Sequence, residues 1–285
     1  MDTPAEIADR KTSLGESQHA AQEQQRPRVD SGSELEEALD ACERYWQHPA
    51  DLTLDLRWAS TDATFGTTKE TSSRVALEAW GRQGAVLYMT DMDASVMTWT
   101  MTRDRALAFS AAQRPPLDHF IVENKALGPA LVEDLKRVVV NVEPFNPGVQ
   151  SKQSRLGVLA ARMRSGQVML PHPDAPWQRR LSCRFGEIAT LIPLARARGD
   201  QWPDAIGSDG VVMVPWVVLF EAECRNGTGR EDLPDAAAQA VIWDQRERER
   251  EKGKVSRHSP FAPPVATDWF GGGGDGGIWG GDESF

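Results

Sequence analysis

From residue 52 the apolar positions fall into short runs, LTLDLRWAS, SSRVALEAWG and AVLYMTDM, each of strand length. Only Arg82-Gln83-Gly84 separates the last two, a compact turn that suits a hairpin. A chain that begins this way is committed to a sheet, and the segments after the hairpin decide its kind. SVMTWTMTRDRALAFSAAQ reads as a helix stopped by Arg114-Pro115-Pro116. HFIVE is a short, mostly apolar strand, ALGPALVEDLKR a helix, and VVVNVEPF a strand ending at a Pro/Gly turn. KQSRLGVLAARMRSG adds a helix ended by Gly166, and QVMLP a brief strand. DGVVMVPWVVLF fits a helix or a strand by pattern alone. A hairpin followed by strand–helix–strand units predicts an α/β fold, with a mixed β-sheet flanked by helices.

The flanks differ in kind. Residues 1–33 are rich in Gln, Ser, Ala and charge, and predict a disordered acidic tail. Residues 34–51 read as a short amphipathic helix and linker. Ser33 is its possible N-cap, Glu36 follows three residues on, and Leu35, Ala38, Leu39, Cys42 and Tyr45 recur at helical spacing. The folded domain is expected over 52–225. In 226–285, AAAQAVIWDQREREREKGK predicts a solvated helix, and a Gly/aromatic-rich disordered tail follows it.

Net charge is −10 over 285 residues, which at first argues against a nucleic-acid partner. Its distribution reverses that reading. Residues 1–50 hold 11 acids and 5 bases, and residues 221–285 hold 13 acids and 8 bases. Within 114–198 there are 13 bases against 7 acids, a local +6. No apolar stretch reaches the roughly 18 residues of a membrane span, and the N-terminus lacks the apolar segment of a secretory signal. Cys42, Cys183 and Cys224 are far apart and outside any CxxC pattern, which fits a reducing cytosol.

Three acids stand at the borders of apolar runs. Asp62 closes the first strand, Glu123 closes HFIVE, and Asp209 opens DGVVMVPWVVLF. Strand ends bring distant carboxylates together, and such a cluster repels itself unless cations neutralise it. Hard oxygen ligands suit Mg²⁺ or Mn²⁺, and a pair of such ions suits phosphodiester cleavage.

Six motifs sharpen this. DATF at 62–65, WGRQGA at 80–85 and VENKALGPAL at 122–131 are followed by KQSR at 152–155, SGQVMLP at 165–171 and APW at 175–177. In that order they resemble the C-terminal nuclease domain of the large terminase subunit of tailed bacteriophages, over about residues 52–220. Where that family usually has two adjacent aspartates in its last motif, this chain has Ser208-Asp209, with Asp204 a competing candidate.

The resemblance implies an RNase H-like fold and metal-dependent cleavage of double-stranded DNA during genome packaging in the cytoplasm of the host bacterium. Asp62, Glu123 and Asp209, with Asp204, would hold two Mg²⁺ or Mn²⁺ ions ~4 Å apart. Lys125, Lys152 and Arg155 would face DNA phosphates, giving salt-dependent, sequence-independent affinity. The chain contains no G-x-x-x-x-G-K-[ST]. A nuclease-only polypeptide is therefore expected, working with a separate packaging ATPase subunit, a small terminase or a portal protein, and with no membrane. Two other readings stand beside this one: another RNase H-like nuclease, such as a Holliday-junction resolvase, and a non-catalytic assembly protein with a degenerate site.

Overall fold

The computed structural model describes residues 31–62, 74–125, 128–139, 141–202, 206–225 and 230–257. Residues 1–30 of the tail expected at 1–33, the chain beyond 257, the loop after Asp62, and Asp204 lie outside these residues, while Ser31–Ser33 are helical, so the helix starts before the expected N-cap Ser33.

The described residues open with helix α1 (Ser31–Ala41) and a two-residue strand β1 (Arg44–Tyr45). Then come β2 (Leu56–Asp62), β3 (Val75–Gln83) and β4 (Val86–Ser95). Helix α2 (Trp99–Ala112), β5 (His119–Glu123), α3 (Gly128–Leu135), β6 (Val142–Phe145), α4 (Lys152–Arg164) and β7 (Val168–Pro171) follow. The sheet runs β1-β7-β4-β3-β2-β5-β6. β2, β3 and β4 pair antiparallel, while β5 joins β2 and β6 joins β5 in parallel. The hairpin strands with two parallel strands beside the first make the mixed β-sheet expected from the sequence.

Local chemistry sets most boundaries. Gly84, with φ +55°, makes the tight turn between β3 and β4. The Thr98 hydroxyl accepts from Met101 N–H at 3.4 Å to cap α2, and Ser151 does the same for α4 through Ser154 N–H at 3.1 Å. α4 ends at Gly166, whose φ of +68° only glycine adopts readily.

The sheet is covered on both faces. On one, Ala59, Leu77, Ala79, Phe120 and Val122 pack with residues of α2 and α3, among them Phe109 and Leu131. The other holds Trp58, Trp80 and Ile121 in the larger core cluster. β3 consequently reads VALEAWGR with every side chain buried, rather than alternating in and out.

Four expectations need correction. The amphipathic helix ends at Ala41, because Arg44 and Tyr45 pair with Leu170 and Pro171 as an edge strand. The Tyr45 hydroxyl donates to the Met89 carbonyl at 2.6 Å and helps hold that strand in place. A separate two-stranded sheet, β8 (Arg180–Arg184) with β9 (Val211–Pro215), was not anticipated, nor were α5 (Phe185–Ile188) and α6 (Ile192–Arg198). DGVVMVPWVVLF is both of its alternatives in turn, since β9 ends at Pro215 and α7 (Trp216–Cys224) begins there. The fourth concerns α8 (Asp232–Arg257), read as a solvated helix. Its residues Leu233, Ala236, Ala237, Ala240, Val241 and Trp243 belong to the larger core cluster, beyond the expected limit at 225. Trp243 lies 5.4 Å, ring to ring, from Trp58. Residues 246–285 form a unit of their own, in which Arg250 pairs with Glu247 at 3.0 Å.

Candidate active site

β2 and β5 run parallel in the register Trp58 to His119, Ser60 to Ile121 and Thr61 to Val122. One residue beyond the last paired row, Asp62 ends β2 and Glu123 ends β5, and by strand alternation both belong to the face that carries Trp58 and Ser60. Each residue is only 9% exposed. Glu123 is fixed from behind. Asn124 N–H donates to the Phe145 carbonyl at 2.7 Å, and Lys125 Nζ lies 2.8 Å from Glu123 Oε1. The first turn of α3 comes so close that a Cβ on Gly128 would fall 1.9 Å from the Glu123 carbonyl oxygen. That contact gives the glycine of the E-x-K-x-x-G motif a physical reason.

Helix α8 brings further acids over this face. The Ser60 hydroxyl donates to the Ala236 carbonyl at 3.2 Å, while Gln239 Nε2 donates to Ser60 Oγ at 3.0 Å and to the Thr61 carbonyl at 3.2 Å. The start of α8 is thereby pinned above the end of β2. Asp235, in its first turn, receives a two-pronged ion pair from Arg155, with Nη2 2.7 and 2.8 Å from its two oxygens and Nε 3.0 Å from Oδ1. Asp232 Oδ2 accepts from the backbone N–H of Arg74 at 2.8 Å. Buried Glu223 accepts from Leu233 N–H at 2.8 Å and pairs with Arg74 at 2.7 Å. Arg74 also reaches Glu187 at 2.5 Å.

Glu78, opposite Ser60 on β3, is completely buried. Trp80 Nε1 donates to its Oε2 at 3.1 Å, and Oε1 has no partner among the described residues. Burial, ahead of every other cause, pushes this carboxyl well above the usual range. The Trp80 N–H pulls the other way, and the charges of Glu223, Asp62 and Asp235 push it further. Burial also raises Glu223, against the lowering pull of Leu233 N–H and Arg74.

Six carboxyl groups (Asp62, Glu78, Glu123, Glu223, Asp232 and Asp235) thus share one corner with three cations, Arg74, Lys125 and Arg155. The carboxyl groups outnumber the cations, which leaves an excess of negative charge. The donor set is oxygen only, and it fits a hard divalent cation. Among the described residues no three His, Cys, Asp or Glu side chains already stand close enough to hold an ion. Lys125 and Arg155 occupy oxygens that such an ion would take.

The expected residues fare unequally. Asp62 and Glu123 end adjacent parallel strands. Asp209 does not join them: its exposed carboxylate accepts from Val211 N–H at 3.0 Å in the turn before β9, where Gly210 has φ +74°. A Ser-Asp-Gly sequence is a turn former, and the turn uses the side chain. Arg155 is not a surface group facing phosphates, being 5% exposed and committed to Asp235. Lys125 is exposed beside Glu123, and Lys152 is 3.6 Å from Glu231. Asp232 and Asp235 were missed, although the adjacent acids Glu231 and Asp232 before an alanine-rich helix were visible in the sequence.

No family model and no curated protein matches the chain. Among solved structures it is similar to the large terminase nuclease from thermophilic phage G20c with bound magnesium. Identity is 16%, covering 73% of this chain and 96% of that one, with a TM-score of 0.41. The same nuclease with bound cobalt gives a TM-score of 0.40 at the same identity. The large terminase from thermophilic bacteriophage D6E is 11% identical over 48% of this chain, with a TM-score of 0.37. This chain spans about one third of that protein's length.

Proposed function

We propose that the chain is a divalent-metal-dependent endonuclease acting on double-stranded DNA, the cutting component of a tailed-phage genome-packaging machine in the host cytoplasm. One observation carries the reading: Asp62 and Glu123 end adjacent parallel strands in register, and the first turn of α8 lies over the same face. Asp235 takes the third position that Asp209 was expected to fill. The six ordered motifs supply the packaging context, with a separate ATPase as partner.

Asp62, Glu123 and Asp235 would hold Mg²⁺ or Mn²⁺, and bound metal supplies an activated water and offsets charge on the leaving oxygen. The chain's own part is to bring these residues to one face of the sheet, from which a metal ion would draw their oxygens together. Ser60 and Gln239 anchor α8, Arg155 orients Asp235, and burial disfavours one more negative charge at Glu78.

Plasmid incubated with the purified chain and Mn²⁺ is expected to be nicked and linearised. Asp62→Ala, Glu123→Ala and Asp235→Asn should each abolish this, while Asp209→Asn should not. Cutting that survives all three substitutions would sink the proposal.

A further inference from the structure

A cavity of about 250 Å³ opens beside the acids, and its polar walls are Arg74, Arg184, Arg230, Ser95, Ser182 and Glu187. The lining carries three arginines and one glutamate in a chain of net charge −10, and Arg184 Nη1 also donates to the Asp209 carbonyl at 3.3 Å. Arg74 is the partition between this cavity and the carboxylates, since its backbone N–H donates to Asp232 and its guanidinium pairs with Glu223 and Glu187. The Glu187 carboxylate is turned to Arg74 and to the backbone N–H of Arg184, the latter at 2.8 Å. On β8, Leu181 and Cys183 are buried while Ser182 and Arg184 point outward, so strand alternation presents a hydroxyl and a guanidinium on one side. Ser95, at the end of β4, adds a second hydroxyl. Guanidinium forks and hydroxyls converging on one hollow make a receptor for a tetrahedral oxyanion.

We infer that this cavity is a phosphate subsite, seating a backbone phosphate of the DNA strand whose neighbouring linkage lies at the carboxylates. The inference rests on the nuclease reading for its ligand and on the cavity for its chemistry. It gives the acidic chain a local cationic anchor where a duplex must overcome repulsion from the acids.

The test uses the full chain carrying Asp62→Asn, so that DNA stays intact, titrated with a fluorescent duplex across a salt series. Arg184→Ala and Arg230→Ala should each weaken binding about tenfold at low salt, and each should lower the slope of log affinity against log salt by about 1. Ser182→Glu leaves both arginines and the buried neighbours in place and should weaken binding at least as much. Arg184→Lys should restore the slope. Unchanged affinity and slope in Arg184→Ala and Ser182→Glu, with unaltered melting temperatures, would overturn the inference. Inorganic phosphate alone supplies the second arm. If it raises the melting temperature through Arg184 while duplex affinity ignores Arg184, the cavity is a free-anion site and the DNA assignment falls. Binding is read without cleavage, so a wild-type chain that fails to cut removes the nuclease reading and leaves this result standing.

Discussion

Gly128 sits against the carbonyl of Glu123 with no room for a methyl group, a Cβ there falling 1.9 Å from that oxygen. The backbone that aims one catalytic candidate therefore depends on a hydrogen atom five residues away. Gly128→Ala must shift either α3 or the end of β5. Overpacking of this kind costs about 1–3 kcal/mol, and a displacement near 1 Å can cost ~100-fold in rate. Cleavage should fall by at least tenfold, and thermal unfolding should occur several degrees earlier. Gly157→Ala, in α4 with nothing within 4 Å of the added atom, is the control and should be neutral or slightly stabilising.

The Arg155–Asp235 pair is buried on both sides, at 5% and 7% exposure. Removing one partner leaves a stranded charge, so Arg155→Leu should cost about 3–5 kcal/mol in urea unfolding. Replacing both residues with leucine should recover much of that loss while leaving the chain unable to cut. Asp235→Asn strands the Arg155 charge in its turn, so it should lose stability as well as cutting, whereas the double leucine variant should regain stability and stay inactive, which separates the structural role of the pair from its role toward metal.

Glu78 makes stability depend on pH in a direction opposite to that of an ordinary salt-bridged acid. Its carboxyl is raised well above the usual 4.5. As pH climbs from about 4.5 toward the raised value, the unfolded chain gives up the proton and the folded chain keeps it. Folding then binds a proton, and stability falls across that window. Glu78→Gln removes the effect. Chemical denaturation should find variant and wild type closest near pH 4, with the variant gaining steadily toward pH 8.

Trp243 and its neighbours on α8 carry a core role that their composition hides. Trp243→Ala should cost about 3–5 kcal/mol. A chain ending at residue 225 should fail to give a cooperative melt, having lost Leu233, Ala236, Ala240 and Trp243 from beneath the sheet.

What the sequence revealed and what it hid divide along physical lines. HFIVE announced itself because a short apolar strand needs no distant partner to be recognised. Asp62 and Glu123 were legible because each ends such a strand. α8 was misread because alanines bury little area per residue, so a helix can be wholly covered at one end without looking hydrophobic. β8 offered only Leu181 and Cys183 between arginines and a serine, too short an alternation to register. Arg155 looked like a surface charge because its partner lies 80 residues further along the chain. Asp209 resembled a site residue because an acid before an apolar run suits a turn as well as it suits a metal.

The pinning of α8 to Ser60 and Thr61 by Gln239 has a consequence in time as well as in space. The proposed cutting site gathers residues 62, 123 and 235, so the chain emerges from the ribosome with two acids long before the third. A truncated or half-folded copy lacks α8, and with it part of the core and part of its grip on a metal ion. Loop closure over that span is among the slowest contacts the chain must make. Competence to cut DNA would therefore arrive last, as a certificate that the molecule is whole.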